Sequence, residues 1–331
     1  RGLGDVYKRQ IYYSVMKILL INYNRIGDTI LSTGLIDHLL EKYENASFSI
    51  ITSTISKSIF QDMPRLDKLI IADKQKYSMH WFKIWNETRK SSWDLVIDLR
   101  SSSLAFFIST KDKMIFKGNE NEHKLKQLQL FIGSPKELTP KIWADERKYQ
   151  NVNGTKRLND KYVCIAPISN SIIKDWSIDN YVSLINSGIF KDYQIILLGA
   201  ISKDSLDAGK VDQNNINKLV SLASGNINNL IDNANMIETY FILKRASLFI
   251  GSDSSNMHLS IAAKIPTIGL FGPTDEKLYG PLGKNNLAIR GEKTFLEIIN
   301  QNDYKMGETK SYLEDLEVSK VYKEIVNILG L

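Results

Sequence analysis

The sequence predicts an α/β protein made of two doubly wound parallel sheets. Short apolar runs of strand length alternate with stretches whose apolar residues recur at helical spacing. The alternation breaks once, in a charged stretch with Pro and Asn at 133–160, and then resumes. A length of 331 residues also favours two domains over one.

The first strand is expected at 17–23, a nearly continuous apolar run of the kind a parallel sheet covers on both faces. After Asn24-Arg25-Ile26-Gly27, the positions Ile30, Leu31, Leu35, Leu39 and Leu40 give a helix to about Tyr43. Strands follow at 47–52, 68–72, 94–99 and 113–116, with helices at 77–90 and 122–131. Beyond the connection, strands are expected at 162–166, 193–198, 218–222, 248–250 and 267–271. Helices fall at 178–187, after Ser202, at 236–246 and at 256–263, and an amphipathic helix at 311–331 ends the chain. The organisation is therefore a leader at 1–15, read as non-native or disordered, and a first domain at 16–145. A second domain follows at 146–310, then the terminal helix at 311–331.

Apolar residues make up 43% and charged residues 24%, an ordinary globular balance that excludes disordered and fibrous classes. No apolar run is long enough for a membrane-spanning helix, and residues 1–15 lack the apolar core of a signal peptide. The single cysteine, Cys164, cannot form an intramolecular disulfide, which suits a reducing cytoplasm. The net charge of +6 is spread along the chain, which fits anionic small ligands or an anionic membrane surface better than nucleic acid. Met79, Trp81, Phe82 and Trp85, with Leu104, Phe106 and Phe107, could touch lipid, although the expected fate of most of these side chains is the core.

Two facing doubly wound domains bind ligands in the cleft, at the carboxyl ends of their strands. Three loops qualify. The turn 22–29 places Asp28 at a helix N-terminus, where it reads either as an N-cap or as a general base. This turn lacks the glycine fingerprint of dinucleotide enzymes, and no phosphate-binding loop of the GxxxxGK[ST] type occurs. The loop 167–176 offers Ser169, Ser171 and Lys174 ahead of a helix, a cradle for phosphate oxygens, with Trp176 as a packing anchor. In the stretch 249–258 a strand enters a turn of small polar residues, including Asp253, Ser254 and Ser255. The helix that follows holds His258, and its free N–H groups suit a diphosphate.

Arg25-x-Gly27-Asp28, Asp253-Ser254-Ser255-x-x-His258 and Leu270-Phe271-Gly272-Pro273-Thr274-Asp275 occur in that order. Together they resemble glycosyltransferase family 9, the ADP-heptose:lipopolysaccharide heptosyltransferases. The resemblance implies a GT-B fold of two Rossmann-like domains facing across a cleft, the first on the acceptor side and the second binding the nucleotide sugar. It implies inverting transfer of heptose from ADP-heptose to a lipid-linked saccharide of the lipopolysaccharide inner core, at the cytoplasmic face of the inner membrane. Asp28 would then be the base, Lys174 would contact the donor phosphates, and the segment from Asp253 to His258 would hold the nucleotide. Arg25 and Gly27 would orient the base or meet the acceptor.

Three positions depart from the family pattern: Ser255 stands for Gly, Ile168 for the Gly of a Pro-Gly turn, and Glu276 for Pro. Another nucleotide sugar, a non-catalytic sugar-nucleotide binder and a sugar-nucleotide epimerase are the alternatives. No D-x-D triplet occurs, so neither a metal nor a cofactor is expected. Lys174 and the amides of 254–256 would stabilise the leaving diphosphate.

Overall fold

The computed structural model describes residues 15–73, 79–149, 158–201, 206–301, 304 and 310–331; the leader expected at 1–15 lies, apart from Val15, outside them. The first sheet is parallel and ordered β3-β2-β1-β4-β5. Its strands are β1 (Met16–Ile21), β2 (Ala46–Thr52), β3 (Leu66–Ile71), β4 (Trp93–Asp98) and β5 (Thr110–Ile115). Ile18, Leu19, Leu20 and Ile21 are all buried, the two-sided burial that a central parallel strand requires. The helices of this half are α1 (Ile26–Lys42), α2 (Met79–Thr88) and α3 (Lys124–Ile132).

The second sheet, also parallel, is ordered β11-β10-β9-β6-β7-β8. It contains β6 (Tyr162–Ala166), β7 (Gln194–Leu197), β8 (Ile227–Asn229), β9 (Leu248–Ser252), β10 (Thr267–Phe271) and β11 (Asn286–Arg290). Around it lie α4 (Ile178–Asn186), α5 (Leu206–Leu222), α6 (Met236–Leu243), α7 (Ser255–Ala262), α8 (Glu276–Tyr279), α9 (Phe295–Ile299) and α10 (Val318–Leu329).

The strand expected at 218–222 is instead the end of α5. Ile216 and Leu219 are buried three residues apart, a helical face, and five residues are too few to separate the two periods. The strand of this region, β8, has Ile227 as its single apolar residue, so no pattern announces it. The terminal helix is shorter than 311–331: α10 begins only at Val318 and ends at Leu329, where Gly330 caps it in the left-handed conformation at φ 67°.

Residues 311–316 form a strap over the loop after β6. Ser311 Oγ donates to the carbonyl of Asp175 at 2.5 Å and Tyr312 N to that of Ile173 at 3.0 Å. The fully buried Trp176 donates its Nε1–H to the carbonyl of Leu316 at 2.9 Å, so it anchors the loop as expected.

The halves share an apolar core. Ile30, Leu31 and Leu35 of α1 belong to one buried cluster with Ile237 and Phe241 of α6 and Met257 and Leu259 of α7. The segment after α3 follows the same seam, with Lys141 N donating to Thr33 Oγ1 at 2.8 Å. A polar contact also crosses between the halves. His123, the N-cap of α3, accepts from Leu125 N through Nδ1, and its Nε2–H reaches the carbonyl of Gly280 at 2.9 Å.

Candidate active site

In each sheet the strand order reverses once, between β1 and β4 in the first and between β6 and β9 in the second. Loops at such switch points splay apart and leave a crevice at the carboxyl ends of the strands. The loops after β1, β6 and β9 are the three singled out from the sequence. The N-termini of α1 and α7 meet here so closely that a Cβ at Gly27 would lie 2.9 Å from His258 Cδ2. A side chain at position 27 would have to displace the His258 ring.

Asp28 is not the N-cap of α1; Arg25 occupies that position and makes no side-chain cap bond. Its carboxyl sits in the first turn, free for other work. Burial raises its pKa above the usual carboxylate range, while Lys124, His258 and Arg25 pull it back and Asp253 adds to the rise. A carboxylate so placed holds a proton more readily than a surface aspartate, which suits a base that must take one from a hydroxyl.

Opposite Asp28, the loops after β6 and β9 are tied together. Lys174 Nζ lies 2.9 Å from Asp253 Oδ2, and His258 Nε2 is 3.6 Å from Asp253 Oδ1. Burial works against the Asp253 charge, but His258 and Lys174 outweigh it and hold the carboxyl well below its usual range. Ser169 and Ser171 close a small turn, Ser169 Oγ donating to the carbonyl of Ser171 at 3.0 Å. Ser169 N donates to Asp175 Oδ1 at 2.8 Å.

At the start of α7, Ser254 is the N-cap yet caps nothing with its side chain; its Oγ and His258 Nδ1 are buried without a partner. Ser255 opens the helix. These unpaired groups, with the free N–H groups of the first turn, are what an anionic ligand would satisfy. The loop after β10 is braced by Arg290, whose guanidinium meets the Glu276 carboxylate (Nε to Oε2, 3.0 Å) and the carbonyls of Gly272 and Thr274. Glu276, one of the departures from the family pattern, is thus the acidic partner of Arg290.

On the Asp28 side a pocket of about 400 Å³ opens, lined among others by Tyr23, Arg25, Asp28, Arg100, Phe116 and Lys124. Arg100 and Lys124 were not legible as site residues. Arg100 follows β4 at the same switch point, so the rule that selects loops after strands covers it. Lys124 lies at the start of α3 and carries no motif. Tyr279 of α8 was also missed; its pKa is raised by burial and by the charges of both Asp28 and Asp253.

The expectation that most of the large apolar side chains Met79, Trp81, Phe82, Trp85, Leu104, Phe106 and Phe107 are core fails, since Leu104 alone among them is buried. Met79, Phe82, Phe106 and Phe107 are 56%, 62%, 68% and 69% exposed, whereas Leu104 is buried. The amphipathic period of α2 leaves a second apolar stripe outside the one that Ile84 buries.

The description of glycosyltransferase family 9 (heptosyltransferase) matches residues 119–303, more than half of the chain. The chain belongs to glycosyltransferase family 9. It is 23% identical over 330 residues to lipooligosaccharide heptosyltransferase 2 of Campylobacter jejuni, covering 95% of this chain and 98% of that protein. Among solved structures, a family 9 glycosyltransferase from Veillonella parvula superposes with a TM-score of 0.77 at 16% identity, over 96% of this chain and 98% of that one. The ADP-heptose lipopolysaccharide heptosyltransferase II of Escherichia coli gives 0.71 at 16% identity, over 95% and 99%. The family 9 fold is GT-B, and the two Rossmann-like sheets of this glycosyltransferase have that arrangement. Among the described residues no helix is long and apolar enough to cross a membrane.

Proposed function

We infer that this glycosyltransferase moves a heptose from ADP-heptose to a saccharide of the lipopolysaccharide inner core, with inversion, and that Asp28 is the general base. The observation that carries this reading is the pairing of a half-buried carboxyl, raised in pKa, with the unpartnered Ser254 Oγ and His258 Nδ1 at the N-terminus of α7 across the seam. An acceptor hydroxyl in the 400 Å³ pocket would lose its proton to Asp28 as it attacks the anomeric carbon, and ADP would leave toward α7. General-base help of this kind contributes roughly 10²–10⁴-fold. Lys174, His258 and the N–H groups of 254–256 stabilise the charge that develops on the diphosphate. Asp253 holds Lys174 and His258 in place, and Ser169 and Ser171 shape the turn beside them. Gly27 permits the approach of α7, and Arg25 steadies the Asp28 charge.

The acceptor is lipid-linked, so the enzyme works in the cytoplasm and touches the cytoplasmic face of the inner membrane. The exposed stripe beside the pocket supports that contact. Trp85 Nε1 donates to the carbonyl of Phe107 at 3.1 Å, Arg89 lies 4.6 Å from the Trp85 ring, and Lys113 lies 5.2 Å from the Phe106 ring. Exposed aromatic groups flanked by cations suit an anionic lipid surface.

Thermal stabilisation by ADP, UDP, GDP and CMP tests the donor. ADP alone should raise the melting temperature, since a ligand at a hundred times its Kd adds about 2.7 kcal/mol of stability. A selective response to UDP or GDP would move the donor to another sugar, and silence to all four would favour a non-catalytic protein.

A further inference from the structure

We propose that residues 311–316 are the positioning element of the donor site: this strap holds the backbone on either side of Lys174, ties it to the loops after β10 and β11, and so sets where the lysine stands. The proposal rests on the reading of Lys174 as a ligand of the donor phosphates.

Lys174 needs support from outside its own loop. It ends a single 3₁₀ turn, Ile172–Lys174, and one such turn has too few hydrogen bonds to hold itself. The strap supplies the hold through the two neighbours of the lysine. The carbonyl of Ile173 accepts from Tyr312 N at 3.0 Å, and that of Asp175 accepts from Ser311 Oγ at 2.5 Å. Ser311 Oγ in turn accepts from Leu313 N at 3.0 Å, so the hydroxyl is fixed at both ends. Trp176 adds its bond to the Leu316 carbonyl, and Leu313 and Leu316 are buried in one apolar cluster with Ile168, Ile173 and Trp176.

The strap also grips the neighbouring loops. Gly272, in the loop after β10, lies outside the left-handed region, so its missing side chain answers a need for room rather than for an unusual backbone. A Cβ there would overlap Leu313 Cδ1 and lie 3.2 Å from the carbonyl oxygen of Tyr312. Past β11, Lys293 N donates to Asp315 Oδ2 at 2.9 Å, and Lys320 of α10 reaches the carbonyl of Arg290 at 2.7 Å. Arg290 is the residue that braces the carbonyls of Gly272 and Thr274. A segment 136 residues beyond Asp175 thus binds three loops at the carboxyl end of the second sheet into one frame. Displacing the strap displaces the Ile173 and Asp175 carbonyls, and with them the lysine that meets Asp253 at 2.9 Å.

Calorimetric binding of ADP to the full chain tests this. S311A removes the bond to Asp175 and G272A drives Leu313 from its seat, and each should raise the Kd about three- to tenfold. S311T should restore the affinity, and G272A/L313A should bind ADP more tightly than G272A, because the smaller side chain makes room for the new methyl. A strap that acts through Lys174 has nothing left to act on once the ammonium is gone, so in the K174M background S311A should change the Kd by less than about 1.5-fold. The same loss in both backgrounds, or an unchanged Kd in both S311A and G272A, overturns the proposal.

Hydrogen exchange of the peptide 167–176 in the ligand-free chain gives a readout independent of the donor. S311A and G272A should speed it about threefold or more while leaving the peptides of the first sheet unchanged. An ADP Kd that K174M leaves unchanged overturns the reading of Lys174 rather than the strap, whose hold on the loop the exchange then decides: faster exchange upholds it and unchanged exchange overturns it. A single cooperative unfolding transition confirms that each variant folds.

Discussion

The two faces of the cleft treat charge in opposite ways. On the side of the second sheet the cations are matched: Lys174 with Asp253 and Arg290 with Glu276. On the side of the first sheet, Asp28 is the one carboxylate lining a pocket that Arg25, Arg100 and Lys124 also line. The second wall is therefore a preassembled frame held together by its ion pairs. The first wall carries more positive charge than it balances, so the same residue type is used differently on the two walls.

The largest effect expected is on the one carboxylate of the first wall. D28N should lower turnover by roughly 10²–10⁴-fold with ADP affinity nearly unchanged. It should also raise the melting temperature at neutral pH. A pKa raised by burial means that the folded chain binds more protons than the unfolded one, so stability falls as pH rises above the ordinary value of 3.8. Removing the ionisable group abolishes that fall. Retained turnover would remove Asp28 from the base role and leave the comparison without its centre.

Next in size is a variant that breaks the matched wall. K174M should weaken ADP binding by about 1.5–3 kcal/mol, or roughly 10- to 150-fold. It should also lower the melting temperature, because Asp253 is left buried with a lost partner. In the double variant K174M/D253N the melting temperature should recover while the affinity does not. A K174M protein as stable as wild type would show that the two walls do not differ in this respect.

The smallest effect is a change of pH dependence. Burial pushes the Asp175 carboxyl, which accepts from Ser169 N, up to about 7, against opposing hydrogen bonds from Ser169 and the charge of Lys174. The folded state therefore binds the extra proton between about 4 and 7, and this residue's contribution to stability declines as pH rises through that window. D175N should flatten the melting-temperature profile there. An unchanged slope would mean that the slope has another source.

The fold was legible because two-sided burial writes itself as apolar runs, as in Ile18–Ile21, and because helical faces such as Ile30, Leu35 and Leu39 repeat cleanly. It was misread where tertiary structure outweighed local pattern. The run 218–222 has the composition of a strand but continues a helical face set by Ile216, and β8 has too little apolar content to announce itself. The wall of Lys174, Asp253 and His258 was legible because its residues fall in short polar runs within loops that follow strands. Arg100 and Lys124 were not, because neither belongs to a motif and only the packing of α3 against α1 brings them to one pocket. Phe106 and Phe107 show the reverse limit, since an aromatic pair reads the same whether its destination is core or surface.

The imidazole of His123 has a mechanical consequence. It is kept neutral by burial, receives an N–H from the first turn of α3 on one ring nitrogen, and gives its own proton to the Gly280 carbonyl of the opposite wall on the other. Lys124 is the next residue along the chain. The ring thus acts as a connecting rod between the two halves: any displacement of Gly280 is passed through a rigid aromatic plane to the turn bearing Lys124, whose charge acts on Asp28.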